Sequence, residues 1–338
     1  MKVYKYRGGS TYYCEIDQEH KRILERDLES LKADYFWAPT RYTLNDPFEC
    51  LFKDKVSPVF NGLKQLFPSE NTHQLQMALE SLLNFIDKSG IYSLSQTPLS
   101  ELLWSHYAYS HTGFCVEYDL KILTKYRHQN LTELSIQYNQ QSPSIELQDI
   151  LANSNDLISQ KMFGYKSQAW SYEEEIRIIT PEYGRIDYDY RAVNAIYFGL
   201  RMDAQDKNLI MESLKGRSIK YYQMILKHES YQLAYEPIED LFLDAPPYKY
   251  NIAPIADDAI DTYNKEFSEY QNYLVKAAEI VRRDPYCRRV DTVMFSNNKS
   301  TVPNPIVIVQ YEITPPYTYN HYLTLDEIDE QYSKILDL

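Results

Sequence analysis

The sequence predicts an α+β fold: a central, mainly antiparallel, split sheet with helices inserted between its strands, followed by a smaller α+β module. Three observations carry that expectation. Short runs of period-two alternation recur through the first ~240 residues, which is the pattern of half-buried strands. Helical-period segments fall between them irregularly, most joined by turn chemistry, which argues against a doubly wound parallel sheet. The composition then shifts to proline and tyrosine in LFLDAPPYKYNIAP, Leu241 to Pro254, which reads as a linker. The expected division is a core domain over 1–240, a linker over 241–254 and a helix-plus-strands module over 255–338.

At 338 residues with 44% hydrophobic side chains, the chain is long enough to bury a substantial core. The 33 tyrosines outnumber 12 phenylalanines and 3 tryptophans. Tyrosine joins ring area to a hydroxyl and suits half-buried sheets, interfaces and base-stacking surfaces; a compositional habit of an AT-rich genome is the simpler single cause of the number. A net charge of −13 argues against a broad electrostatic grip on nucleic acid, leaving room only for a local basic pocket. Cys14, Cys50, Cys115 and Cys287 are scattered without CxxC spacing, which fits a reducing compartment. The first twenty residues hold no apolar core of a signal peptide, and no run reaches the ~20 apolar residues of a membrane span. A soluble cytoplasmic protein is expected.

Val3 to Arg7 alternates as a strand, closed by Gly8 and Gly9, and leaves Arg7 at a strand end from which it can reach a cleft. Glu19 to Ala33 reads as a helix burying Ile23, Leu24, Leu28 and Leu31, and Tyr35 to Thr40 as a strand. In LNDPFE, Leu44 to Glu49, Asn45 and Asp46 supply turn chemistry ahead of Pro47, and Phe48 is expected to plug the core. A substrate contact is the functional reading of Asn45 and Asp46.

Asn71 to Lys88 has the spacing of a packing helix, with Leu75, Leu79, Leu82, Leu83 and Ile86. Ile91 to Gln96 is a strand with Ser93 and Ser95 on one face and Tyr92 and Leu94 on the other. Ser100 caps a helix running to Ser110 that carries Trp104, His106 and Tyr107. His106 and His111 have the chemistry of a general base, although a histidine near a helix end is more often structural. No HxxxH or HExxH spacing supports a metal site.

Strands are expected at Phe114–Asp119, Glu133–Tyr138, Ala195–Arg201, Ile219–Lys227 and Gln232–Ile238. Helices are expected near Leu120–Tyr126, over Ile145–Gly164 and from Asp203. Beyond the linker the spacing predicts one long helix, Ile255 to Arg283, then two strands and a terminal helix from Leu325.

The organising stretch is KSQAWSYEEEIRIIT, Lys166 to Thr180. Alternation puts Glu173, Glu175 and Arg177 on one face of a strand and Glu174, Ile176 and Ile178 on the other. Such charges need partners or a ligand. An exposed Glu–Arg pair is the plain alternative.

Taken together, YKYR, LNDPFE, WSHYAYSHTGFCVEYD (Trp104–Asp119), KSQAWSYEEEIRI (Lys166–Ile178) and FGLR (Phe198–Arg201) resemble, in order, the bacterial family known as domain of unknown function 2971. The family supplies no function. A looser resemblance is to mono-ADP-ribosyltransferases of the Arg–Ser–Glu type. It implies that Arg7 holds the phosphate or ribose of NAD⁺, that Ser93 or Ser95 fixes the nicotinamide ribose, and that Glu175 stabilises an oxocarbenium-like state while Glu173 activates the acceptor. Arg7 and Ser93 lie farther apart than in a minimal transferase core, so large insertions are implied.

Three readings follow. The first is an NAD⁺-consuming transferase or glycohydrolase, of the toxin or anti-phage-effector kind, with Trp104 or Tyr107 stacking on a base, and Asn45, Asp46, His106 and Arg177 contacting substrate. The second is a nucleotide sensor with the same pocket and no turnover. The third is an interaction protein in which the Glu–Arg strand is an internal ion-pair network and the C-terminal module meets a partner. A weaker fourth gathers Asp46, Glu49, Glu173 and Glu175 around Mg²⁺.

Overall fold

The computed structural model describes residues 1–9, 11–14, 19–58, 77, 80–81, 83–126, 129–146, 148–149 and 155–336. They form two compact units, Met1–Ala245 and Pro246–Leu338.

The first unit is α+β, organised on an eight-stranded sheet. Its strands are β1 (Lys2–Arg7), β2 (Gly90–Ser95), β3 (Phe114–Asp119), β4 (Thr132–Ser135), β5 (Glu175–Thr180), β6 (Val193–Phe198), β7 (Lys220–Leu226) and β8 (Leu233–Ile238). They lie in the order β8-β7-β6-β3-β1-β2-β5-β4, and every neighbouring pair is antiparallel except β6 with β7. The sheet is weakest in its middle. β1 and β2 share one register pair, Tyr4 with Ser95, whereas β1 and β3 pair from Lys2–Asp119 to Arg7–Phe114.

Alternation decides what each face holds. Val3, Leu94, Ile176 and Ile178 join the larger core with Leu24, Leu28 and Leu31 of helix α1 (Ile23–Lys32) and Ile210 and Met211 of the helix Ala204–Ser213. On the other face Tyr4, Tyr6 and Tyr197 pack with Leu103 and Trp104 of helix α2 (Glu101–Tyr107), while Ile91 and Ile179 pack with Cys50, Ile86 and Phe163. Each buried aliphatic side chain is worth roughly 1.5–3 kcal/mol. A one-residue slip of β5 would drive Arg177 into the larger core, so its register is strongly fixed. Helix α2 starts where Ser100 accepts a hydrogen bond from the Leu103 amide. Past its end Gly113 lies so close to β1 that a Cβ there would meet the Arg7 carbonyl oxygen at 2.1 Å.

Several expectations need correction. Glu19–Arg22 is a strand paired with Thr11–Cys14, so the helix predicted from Glu19 starts at Ile23. The predicted strand Glu133–Tyr138 is two strands, because β4 pairs with β5 while Gln137–Asn139 turns to pair with Tyr165–Ser167. Of the helix predicted over Ile145–Gly164, residues 148–149 and Asn155–Phe163 are helical among the described residues, and Ser144–Ile145 pairs instead with Lys53–Asp54. Residues 83–88 are helical as predicted, whereas Leu75, Leu79 and Leu82 lie outside the described residues. Phe48 is 64% exposed and plugs nothing.

The second unit is a three-stranded antiparallel sheet, Arg289–Phe295, Ile306–Thr314 and Tyr317–Thr324, with the helices Gln271–Val281 and Leu325–Leu336. The long helix predicted from Ile255 is helical only in its last part. Ile255 and Ile260 instead form single bridges to Val290 and Val293, so their apolar side chains reach the core from extended backbone. Among the described residues no helix is long and apolar enough to cross a membrane.

Candidate functional site

Where β1 and β2 separate, a cleft of about 440 Å³ opens, a size suited to a small ligand. Ser93 and Ser95 line it from β2, Asn45, Asp46 and Glu49 from the Leu44–Glu49 turn, Tyr107 from α2, and Lys166, Glu173 and Glu175 from the organising stretch. Lys5 enters from β1.

The floor is an ion-pair network. Lys166 Nζ stands 2.6 Å from Glu173, 3.0 Å from Glu175 and 3.0 Å from Glu49. Beneath it Arg177, 0% exposed, donates from Nε to Glu175 at 2.7 Å, from Nη2 to Glu49 at 2.5 Å and from Nη1 to the Phe163 carbonyl at 2.9 Å. A guanidinium fork is suited to bridging two carboxylates in this way. Burial disfavours the Lys166 ammonium, yet Glu175, Glu49 and Glu173 outweigh it and hold its pKa well above the ordinary lysine range.

The two glutamates of the E-x-E motif are driven apart. Burial raises the Glu175 carboxyl, but Arg177 and Lys166, with hydrogen bonds from Arg177 and Ser93, win and hold it far below the ordinary value. For Glu173 burial dominates, and its pKa is raised despite Lys166 and the Tyr107 hydroxyl, which donates to it at 2.7 Å. Glu173 is not on the strand as predicted. It ends a 3₁₀ turn, Gln168–Glu173, and Glu174 follows at φ 44°. That left-handed residue turns the chain so that Glu173 and Glu175 still meet at Lys166.

The cleft's other walls hold polar groups with fewer protein partners. Asp46 is 5% exposed; its Oδ1 accepts from the Phe48 amide at 2.9 Å, while its buried Oδ2 has no partner among the described residues. Asn45 hydrogen-bonds the Tyr107 hydroxyl. Lys5 donates to the Ser93 carbonyl at 2.8 Å and lies 4.8 Å from the Tyr92 ring centre. Protein atoms crowd it although part of its surface opens on the cavity. That burial, reinforced by the Arg7 charge, brings its pKa down to about 8.

Of the residues named from sequence, Asn45, Asp46, Ser93, Ser95, Tyr107, Glu173 and Glu175 meet in this cleft. Four do not take the places expected of them. Arg7 shares a β1 face with Val3, opposite that of Tyr4 and its register partner Ser95, and reaches Asp27 at 3.5 Å and the Tyr92 hydroxyl at 3.3 Å. These contacts hold it on Asp27 and Tyr92 and leave it outside the cleft lining, although Lys5 on the same β1 face enters it. Trp104 is 0% exposed, donates to the Pro98 carbonyl and packs edge-on against Tyr6, so its ring cannot stack on a ligand. His106 is exposed beside Tyr172, outside the cleft lining. Arg177 is consumed by the carboxylates beneath the site.

Lys5 and Lys166 are cleft residues that sequence reasoning did not assign to this site, and Glu49 was placed with Glu173 and Glu175 only in the Mg²⁺ reading. For Lys166 a signal existed, a lysine a few positions ahead of three glutamates. The glutamates gather round an ammonium, and among the described residues no group of three or more His, Cys, Asp or Glu could hold a metal ion.

A family model described as "Protein of unknown function (DUF2971)" matches residues 103–178. Over this segment the chain is similar to that family. The DUF2971 segment runs from within α2 into β5, and so contains Tyr107, Lys166, Glu173, Glu175 and Arg177. Lys5 and the Leu44–Glu49 turn complete the cleft from outside it. No curated protein and no solved structure matches the chain.

Proposed function

We propose that the cleft binds a nucleotide and breaks an N-glycosidic bond in it, with NAD⁺ as substrate, which makes the protein an NAD⁺ glycohydrolase or ADP-ribosyltransferase-like enzyme. The observation that carries this reading is the opposite drive on Glu173 and Glu175, two carboxyls gathered on one ammonium in one cavity. Environments that separate the pKa values of neighbouring carboxyls assign acid–base and electrostatic roles, as in glycoside cleavage.

In this scheme Glu175 stays ionised and supplies negative potential to the ribose as positive charge develops at C1′. The C1′–N bond breaks and its electron pair leaves with nicotinamide as a neutral base. Glu173, made more basic by its burial, takes the proton of the attacking water or acceptor hydroxyl as the C1′–O bond forms, and releases it to solvent. Lys5, which lines the cleft, is the cation offered to phosphate oxygens in place of Arg7, while Arg26, also in the lining, is held by Asp27 at 3.1 Å. Cys50, Cys115 and Cys287 are free thiols, which suits the cytoplasm. Unrestrained NAD⁺ consumption there is the activity expected of a toxin or anti-phage effector.

A second reading, a nucleotide sensor without turnover, draws on the floor: both oxygens of Glu49 and of Glu175 are engaged by Lys166 or Arg177. The test is nicotinamide release from NAD⁺ by wild type, Glu173→Gln and Glu175→Gln, with and without cell lysate as a source of acceptors. Calorimetric NAD⁺ binding is measured alongside. Release by wild type, lowered about 10²–10⁴-fold in Glu173→Gln while binding persists, supports the enzyme. Binding without release supports the sensor, and the absence of both contradicts each.

A further inference from the structure

A second cavity, about 400 Å³, lies beside the cleft and includes Lys166 in its lining. Its wall is the parallel pair of Gln137–Asn139 with Tyr165–Ser167, in which Lys166 is the register partner of Tyr138 and Ser167 that of Asn139. Period-two alternation gives this ladder two faces. Tyr138, which accepts from the Glu175 amide at 2.8 Å, and the Lys166 ammonium serve the cleft. Tyr165, Asn139 and Ser167 line the second groove. The opposite wall is tied down where the Lys53 amide donates to the Pro143 carbonyl at 2.8 Å. Backbone hydrogen bonds thus build this groove before any ligand arrives.

Its chemistry differs from that of the cleft. Among the described residues lining it none is acidic, and its only ionised side chains are Lys53 and Lys166, in a chain of net charge −13. Lys53 makes no ion pair among the described residues, and the side-chain amides of Asn139, Gln140 and Gln141 make no hydrogen bond among them. The Phe48 ring, 64% exposed, stands at this groove on the same turn that sends Asp46 into the cleft. An exposed ring, unengaged amides and an unpaired ammonium match three parts of one ligand: a base's π-face, its hydrogen-bonding edge and a phosphate. An acidic peptide would use the ammonium and leave the ring unexplained.

We propose that this groove binds single-stranded nucleic acid, with a base against Phe48, its edge on the Asn139–Gln141 amides and its phosphate on Lys53. The site stands independently of any reaction in the cleft. The few cations allow only a local hold, with a shallow salt dependence.

The test uses the full chain, without NAD⁺, and fluorescence anisotropy of short labelled DNA and RNA oligonucleotides at low salt. Both Phe48→Ala and Lys53→Glu change exposed side chains, and thermal melts check that each variant stays folded. Binding is expected in wild type, weakened about tenfold by Phe48→Ala and at least as much by Lys53→Glu, and unchanged by Tyr231→Ala, an exposed ring outside the groove. A DNA–RNA difference identifies which strand the groove prefers. The proposal is overturned by absence of binding to both oligonucleotides, by equal loss in Tyr231→Ala, by indifference to Phe48→Ala and Lys53→Glu, or by a glutamate-rich peptide that displaces the oligonucleotides as well as they displace one another.

Discussion

The floor and the opposite wall of the cleft are made of the same kinds of charge and differ in how many partners each charge has. On the floor, Glu49 and Glu175 spend both oxygens on Lys166 and Arg177. On the wall, among the described residues, Asp46 keeps a buried oxygen without a partner and Lys5 has one hydrogen bond, to a carbonyl. A charge with its valences filled is rigid and cheap to keep ionised; one with a valence open costs stability until a ligand fills it. Glu173 sits between the two regimes, tied to Lys166 and Tyr107 yet raised by burial. The floor therefore holds geometry and field, and the wall meets the ligand.

Breaking the floor should have the largest effect. Arg177→Met leaves two buried carboxylates without their fork, and a loss of about 3–5 kcal/mol is expected in urea unfolding. Arg177→Lys restores the charge without the fork, so it should recover only part of that loss. Asp46→Asn probes the wall and should act in the opposite sense. Replacing a buried oxygen that has no partner among the described residues should leave unfolding stability equal or raised by up to about 1 kcal/mol, while calorimetric ligand affinity falls. Equal loss of stability in both variants would erase the distinction between floor and wall.

Acid and base should separate the two glutamates. Glu175, held below its unfolded value, contributes stability that is complete above the ordinary carboxylate range and lost as pH falls toward strong acid. Glu173, raised above its unfolded value, contributes stability present below the ordinary range and lost as pH rises through its folded value. Unfolding midpoints across pH should show the alkaline-going loss vanish in Glu173→Gln and the acid limb flatten in Glu175→Gln. The smallest effect concerns Lys5, whose pKa is brought down to about 8. Competitive acylation read by mass spectrometry should find it half-reactive near that pH, with exposed lysines lagging by about two units.

Much of the sheet was legible because β1, β2 and β3 each carry clear alternation. Alternation put Ser93 and Ser95 on one face of β2, and only the transferase resemblance brought them to Glu175, which pairs with Ser95. The place of Arg7 was not legible, because its side chain turns to Asp27 and the Tyr92 hydroxyl, partners that no spacing reveals. Glu173 was expected on the strand and lies in the cleft through a left-handed Glu174, a residue with no sequence mark of that conformation. Trp104 illustrates a different limit: periodicity shows which face of α2 carries it and not whether that face meets solvent or core. Ile255 and Ile260 fit helical spacing equally well as extended residues bridging to a sheet, so local pattern could not choose between them.

The central claim is that one environment drives Glu173 and Glu175 in opposite directions. Carbon-detected NMR titration of the glutamate carboxyls, assigned by comparison with Glu173→Gln and Glu175→Gln, measures that directly. The account predicts that the Glu173 carbon titrates above the ordinary glutamate range while the Glu175 carbon stays ionised down to the acid limit of the fold. Two carbons titrating together within the ordinary range would contradict it.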